Sequence, residues 1–185
     1  NNSTVSTNSA ANGAGVYAEA GSTLTLTSGS VGNNTATGNG GGIWTAADTT
    51  LATGITVTGN IAGNGGGIYM SAGYFDMSGG KVTGNRAGGN GGGVCTKAFR
   101  DVRSRVYLSG SAEISDNYAG GSGGGVYLDV FFWESRPNDY SNYCLLSMNG
   151  GKITGNTSVG EGGGVYADAR SGNWRTKSVV MVQGS

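Results

Sequence analysis

The chain contains no histidine, a single proline and two cysteines. Without histidine, the Ser-His-Asp and Cys-His arrangements of nucleophilic catalysis are excluded, as is any His-ligated metal. Charge is sparse and flat, with eleven Lys and Arg against eleven Asp and Glu in 185 residues. That balance gives no support to nucleic-acid binding or to attraction by an anionic membrane. No apolar run approaches the ~18 residues of a membrane span, and no signal peptide is visible, so no direct membrane insertion is expected of this segment.

What is abundant is glycine, with 39 residues. Glycine above a fifth of a chain accompanies low complexity in some proteins, but here it is periodic. The stretch Gly40-Gly41-Gly42-Ile43-Trp44 returns as Gly13-Ala14-Gly15-Val16-Tyr17, Gly65-Gly66-Gly67-Ile68-Tyr69, Gly91-Gly92-Gly93-Val94-Cys95, Gly123-Gly124-Gly125-Val126-Tyr127 and Gly162-Gly163-Gly164-Val165-Tyr166. The first glycines are spaced by 27, 25, 26, 32 and 39 residues. A period near 26, stretched later by insertions, is the mark of a solenoid.

A second signature, aliphatic-x-x-Asn-x-small, precedes each copy: Val5/Asn8/Ala10, Val31/Asn34/Ala36, Val57/Asn60/Ala62, Val82/Asn85/Ala87, Ile114/Asn117/Ala119 and Ile153/Asn156/Ser158. Between the two lies an apolar alternation, as in Leu24/Leu26, Phe75/Met77, Val106/Leu108, Leu146/Met148 and Val180/Val182. These pieces are too short and too β-branched for helices. The expected fold is all-β, a parallel β-helix of about six coils with three short strands per coil, ~30 Å tall at ~4.8 Å between coils. Residues 1–185 read as one domain. Neither end carries the polar cap that a solenoid needs, so further coils of the same chain are expected beyond both.

Alternation from Ile43 sends Gly41 and Thr45 inward and Gly42 outward, and predicts an outward column of Tyr17, Trp44, Tyr69, Cys95, Tyr127 and Tyr166. Stacked aromatics stabilise a sheet as cross-strand neighbours; exposed ones can also hold sugar rings, and stacking is the favoured reading. Asn8, Asn34, Asn60, Asn85, Asn117 and Asn156 form a structural column, since Asn at a bend bonds backbone groups and its own neighbours and is neither acid nor base. Cys95 and Cys144 leave two readings open: a disulfide stapling the longest insertion in an oxidising, extracellular setting, or two separate thiols.

Three inserted loops, 97–105, 129–143 and 168–177, enter at one point of the period and are expected side by side on one flank. Loops that break a repeat on one face are where solenoids place recognition. Arg100, Arg103, Phe131, Phe132, Trp133, Arg136, Tyr140, Tyr143 and Trp174 are therefore the binding candidates, able to stack on a glycan or grip a protein loop. Equally, Phe131, Phe132 and Trp133 could fold back as a satellite apolar cluster.

No cofactor or metal is called for, and no catalytic residue is assigned. The glycine runs lack a following Lys and precede no helix, so they are not phosphate loops; nor do they carry the repeated Asp of calcium-binding nonapeptides. The Thr pairs are too often interrupted to make the flat array of an ice-binding solenoid. Asp101, Glu134, Asp139 and Asp168 with Arg103 and Arg136 could supply the carboxylate and cation cluster of a polysaccharide-cleaving β-helix, but their spacing matches no such motif.

The paired motifs resemble the Phe-x-x-Asn and Gly-Gly-Ala-Ile repeats of the polymorphic outer-membrane proteins of chlamydiae, and are similar to adhesin-like β-helix proteins of gut bacteria and methanogens. The departures are Gly-Gly-Gly for Gly-Gly-Ala and aliphatics for Phe. The resemblance implies a right-handed β-helix, secreted or displayed on a bacterial or archaeal surface and commonly adhesive. The expected function is non-enzymatic presentation of a binding flank to a glycan or protein receptor. A polysaccharide lyase or hydrolase is the first alternative, and a structural spacer or filament segment the second.

Overall fold

The computed structural model describes residues 3–99, 103–132, 143–171 and 177–183. Every strand pairing among them is parallel and joins one coil to the next, as a parallel β-helix requires. One sheet is built from Thr4–Ser6, Thr23–Gly32, Asp48–Thr58, Gly73–Met77 with Lys81–Thr83, Arg103–Ser115, Tyr143–Thr154 and Lys177–Val182. A second stacks six two-residue strands from Ser9–Ala10 to Thr157–Ser158. The third stacks Val16–Ala18, Ile43–Thr45, Ile68–Met70, Val94–Phe99, Val126–Phe132 and Val165–Ser171.

Three strands per coil hold, but their boundaries fall elsewhere than the motifs suggest. The apolar alternation and the following Val/Ile strand belong to one bent sheet, with register shifts at Leu26/Ser28 and Gly110/Glu113. The third strand is the pair of residues after each Asn.

The core lies between the sheets and is made of like residues stacked in register. Val31, Val57, Val82 and Ile114 form one buried column, and Ile43, Ile68, Val94 and Val126 another. Thr45, Met70, Thr96 and Leu128 are buried, as alternation within the third sheet expects. Alternation fails at the glycines. A Cβ on Gly42 would meet Val57 Cγ1 at 3.0 Å and Asn60 Nδ2 at 2.9 Å, so Gly42 faces the core rather than solvent. The reason is that Gly40 to Gly42 form a bend and the strand begins at Ile43.

Two of the bends in each coil carry a polar ladder. In the first, the backbone N and Nδ2 of one Asn both donate to Oδ1 of the Asn one coil on, as from Asn34 to Asn60 (3.0 and 3.0 Å) and from Asn60 to Asn85 (3.0 and 2.9 Å). The same amides also donate to the preceding coil, Asn60 Nδ2 to Val31 O and Asn85 Nδ2 to Val57 O, each at 3.0 Å. These buried side chains, all at about 1% exposure or less for Asn34, Asn60, Asn85 and Asn117, thereby satisfy backbone groups that the bend leaves open.

A second ladder precedes the glycines: Asn12, Asn39, Asn64, Asn90, Ser122 and Glu161. Here the later coil donates, Asn39 N to Asn12 Oδ1, Asn90 N to Asn64 Oδ1 and Ser122 N to Asn90 Oδ1, at 2.8–2.9 Å. In their backbone donors the two ladders therefore run with opposite polarity, while Ser122 Oγ also donates forward to Glu161 Oε2 at 3.0 Å.

Candidate functional site

The inserted segments are not simply loops. Val94–Phe99, Val126–Phe132 and Val165–Ser171 continue the third sheet into them, with Lys97, Asp129 and Asp168 in one register row and Ala98, Val130 and Ala169 in the next. Arg103, Tyr143 and Lys177 align on the first sheet, followed by Ser104, Cys144 and Ser178. Sequence reading missed this extension, although Val126-Tyr127-Leu128-Asp129-Val130 keeps its alternation straight through the supposed boundary.

Between these extended strands the core is prolonged. Ala98, Val130, Ser104 and Cys144 are all fully buried. One column of side chains ties the two sheets together: Ser104 Oγ donates to Lys97 O (3.2 Å), Cys144 Sγ to Asp129 O (3.1 Å) and Ser178 Oγ to Asp168 O (2.7 Å). Thr96 Oγ1 in turn donates to Cys144 Sγ at 3.2 Å. Cys144 thus does the work of its serine neighbours.

Both thiols are free, so the disulfide reading gives way to that of two separate thiols. The cause is alternation: Thr96 turns inward to reach Cys144, which sends Cys95 to the other side of the same strand. Burial pushes the Cys144 thiol up from 9.0 to about 12, and pushes that of Cys95 far above the usual thiol range.

Cys95 lies within the aromatic column. Tyr17, Trp44, Tyr69, Cys95, Tyr127 and Tyr166 are register partners in succession. The Tyr17 and Trp44 rings stack at 4.3 Å and 5°, and Tyr127 and Tyr166 at 5.4 Å and 18°. Tyr69, Cys95 and Tyr127 are buried together, and only Tyr17 is half exposed. Tyr127 Oη donates to Asp168 Oδ2 at 2.9 Å. Burial, reinforced by the neighbouring Cys95 and Asp129, holds the Tyr69 hydroxyl protonated well above its ordinary range. The middle of this column is a closed stack, not an open platform.

Of the binding candidates, Arg100, Trp133, Arg136, Tyr140 and Trp174 lie outside the described residues, as do Asp101, Glu134 and Asp139. For Arg103, Phe131 and Phe132 the register is described: Arg103 pairs with Tyr143, Phe131 with Phe99, and Phe132 with Ser171.

Tyr143 belongs to a cluster that sequence reading did not assemble. Arg105 Cζ lies 4.9 Å from the centroid of the Tyr74 ring and 5.0 Å from that of Tyr143. Tyr74 is its direct register partner one coil back, and Tyr74 N donates to Asp48 Oδ1 at 3.0 Å. Two chain segments separated by an insertion have to be aligned before this contact becomes visible.

A groove of about 480 Å³ follows the bend of the first sheet, floored by Gly80, Gly110 and Gly151. Lys81, Glu113 and Lys152 stand in one register row along it. Glu113 Oε2 accepts from Lys81 Nζ (3.2 Å) and Lys152 Nζ (3.4 Å). The Lys81 bond, with help from Ser115, holds the Glu113 carboxyl below its usual range. Charge here is internally satisfied.

Residues 54–71 match the family model of the Chlamydia polymorphic membrane protein repeat. That stretch holds one copy of each motif, Val57-x-x-Asn60-x-Ala62 and Gly65-Gly66-Gly67-Ile68-Tyr69. No curated protein and no solved structure matches the chain. The chain is a parallel β-helix built of repeats similar to those of this family.

Proposed function

We propose that this chain is a non-enzymatic β-helix that holds a rigid flank away from a bacterial or archaeal surface for adhesion to a glycan or protein. The observation that carries the reading is the prolonged core of the later coils. Ala98, Val130, Ser104 and Cys144 are fully buried beneath segments that a mere tether would leave solvated. Building a recognition surface on strands rather than on free loops fixes its geometry before a partner arrives, which reduces the ordering cost of binding. The repeat similarity supports a surface location, since the matched family is named for membrane proteins of Chlamydia.

Catalysis is the weaker reading, since three of the described carboxylates are already engaged: Asp168 accepts from Tyr127, Glu113 is bridged by two lysines, and Asp48 accepts from a backbone N. Retention on a panel of immobilised glycans and host proteins tests the proposal, with the same wells assayed for released or unsaturated sugar fragments. Retention without fragments is expected; fragments would replace adhesion by polysaccharide cleavage, and no retention on any matrix would leave a spacer.

A further inference from the structure

Among the described residues, Arg105 is a cation without an oxygen. No carboxylate, carbonyl or hydroxyl among the described residues accepts from it, and its Nε is buried and unbonded. Lys81 and Lys152, by contrast, share Glu113. The rings of Tyr74 and Tyr143 hold the guanidinium at 4.9 and 5.0 Å, which fixes its direction while leaving its donors unused. A planar fork of N–H donors held in this way is matched by a planar oxyanion.

Two residues further along the same strand, and so on the same side about 7 Å away, stands Tyr107. It is half-buried and has no ring, cation or hydrogen-bond partner among the described residues. Its register row is Thr25, Thr50, Asp76, Tyr107, Ser147 and Met181. Its immediate neighbours Asp76 and Ser147 are short and polar and offer partners for hydroxyl groups. The Asp76 carboxylate beside Tyr107 repels an anion there and directs it toward Arg105.

We infer that the outer face of the first sheet is a site for a carboxylate-bearing saccharide, a uronate. Arg105 takes the carboxylate end-on through its two Nη groups, the Nε being buried, Tyr74 and Tyr143 position Arg105, and Tyr107 takes the face of a neighbouring sugar ring. The inference rests on the adhesive reading and names the ligand class for it.

The test is calorimetric titration of the intact chain with an oligogalacturonate, its carboxyl-reduced counterpart and a sulfated oligosaccharide of equal length. Carboxyl reduction and Arg105→Met should each weaken binding at least tenfold, Arg105→Lys should recover part of the loss, and Tyr107→Ala should weaken binding several-fold. The double variant Lys81→Ser/Lys152→Ser should bind as the parent does. Circular dichroism melting establishes that each variant is folded, and Arg105→Lys carries the test if Arg105→Met is not.

Equal binding of the reduced sugar, indifference to both Arg105 variants, preference for the sulfated sugar, or loss in the lysine variant would each overturn the site. If the chain is retained on other glycans or proteins but ignores uronates, this inference falls and adhesion stands; if nothing retains it, both fall.

Discussion

Gly67 lies directly against Asn85: a Cβ on Gly67 would fall 3.0 Å from Asn85 Nδ2 and 2.7 Å from the carbonyl oxygen of Gly93. The two motifs that define the repeat are thus two halves of one contact, the glycine being absent of side chain because the asparagine of the coil it stacks on fills that space. Gly67→Ala should cost about 2 kcal/mol through overpacking. Asn85→Ala should cost about 3 kcal/mol or more, because the Asn60 N and Nδ2 lose their shared acceptor. Urea unfolding of the double variant should show slightly less than the sum, since removing the amide relieves the 3.0 Å contact with Asn85 Nδ2 while the 2.7 Å contact with Gly93 O stays.

Three residues at the Asn bend adopt a left-handed backbone without being glycine: Thr7, Asn33 and Asp116, at φ of 58, 55 and 55°. The equivalent positions Gly59, Gly84 and Gly155 have φ of 64, 64 and 65°. Replacing Asp116 by glycine should therefore relieve strain and raise stability by about 0.5–1 kcal/mol. The reverse change at the stacked position, Gly155→Ala, places a Cβ against Asp116 Oδ1 and should lower the melting temperature.

The thiols supply a chemical check. Both should be inert to a disulfide reagent at pH 8 in the native protein, and both should react once it is denatured; a disulfide would yield neither. Because the unfolded Cys144 loses its proton near 9.0 and the folded one near 12, stability should fall as pH rises through that interval, by up to about 1.4 kcal/mol per pH unit. Cys144→Ser keeps the donor to Asp129 O and should fold normally while removing this part of the alkaline loss.

At the acid end, Glu113 acts in the other direction. Its depressed carboxyl favours the folded state above the ordinary Glu range, and that contribution is lost as pH falls through the lower folded value. Urea midpoints of the parent between pH 7 and 3 should drop more steeply than those of Glu113→Gln.

The coil architecture was open to reading because the chain repeats it: every Val/Ile, Asn and triple glycine reinforces the same phase. The second ladder was not read, since an Asn before glycine looks like an ordinary turn residue and the series ends in Ser122 and Glu161 rather than Asn. The Arg105 cluster was hidden for a different reason. Tyr74, Arg105 and Tyr143 belong to three coils whose spacing is stretched by insertions, so only the register brings them together. The staple suggested by Cys95 and Cys144 failed on a one-residue parity, because neighbouring side chains in a strand face opposite ways.

The stacking of strands and both polar ladders also gives the molecule a mechanical grain. Nearly all the bonds between coils lie along the axis of the rod, so tension on its two ends opens one rung at a time and yields at low force. A load applied across the rod, along the strands, must shear whole rows at once. Such a rod resists load best when pulled sideways.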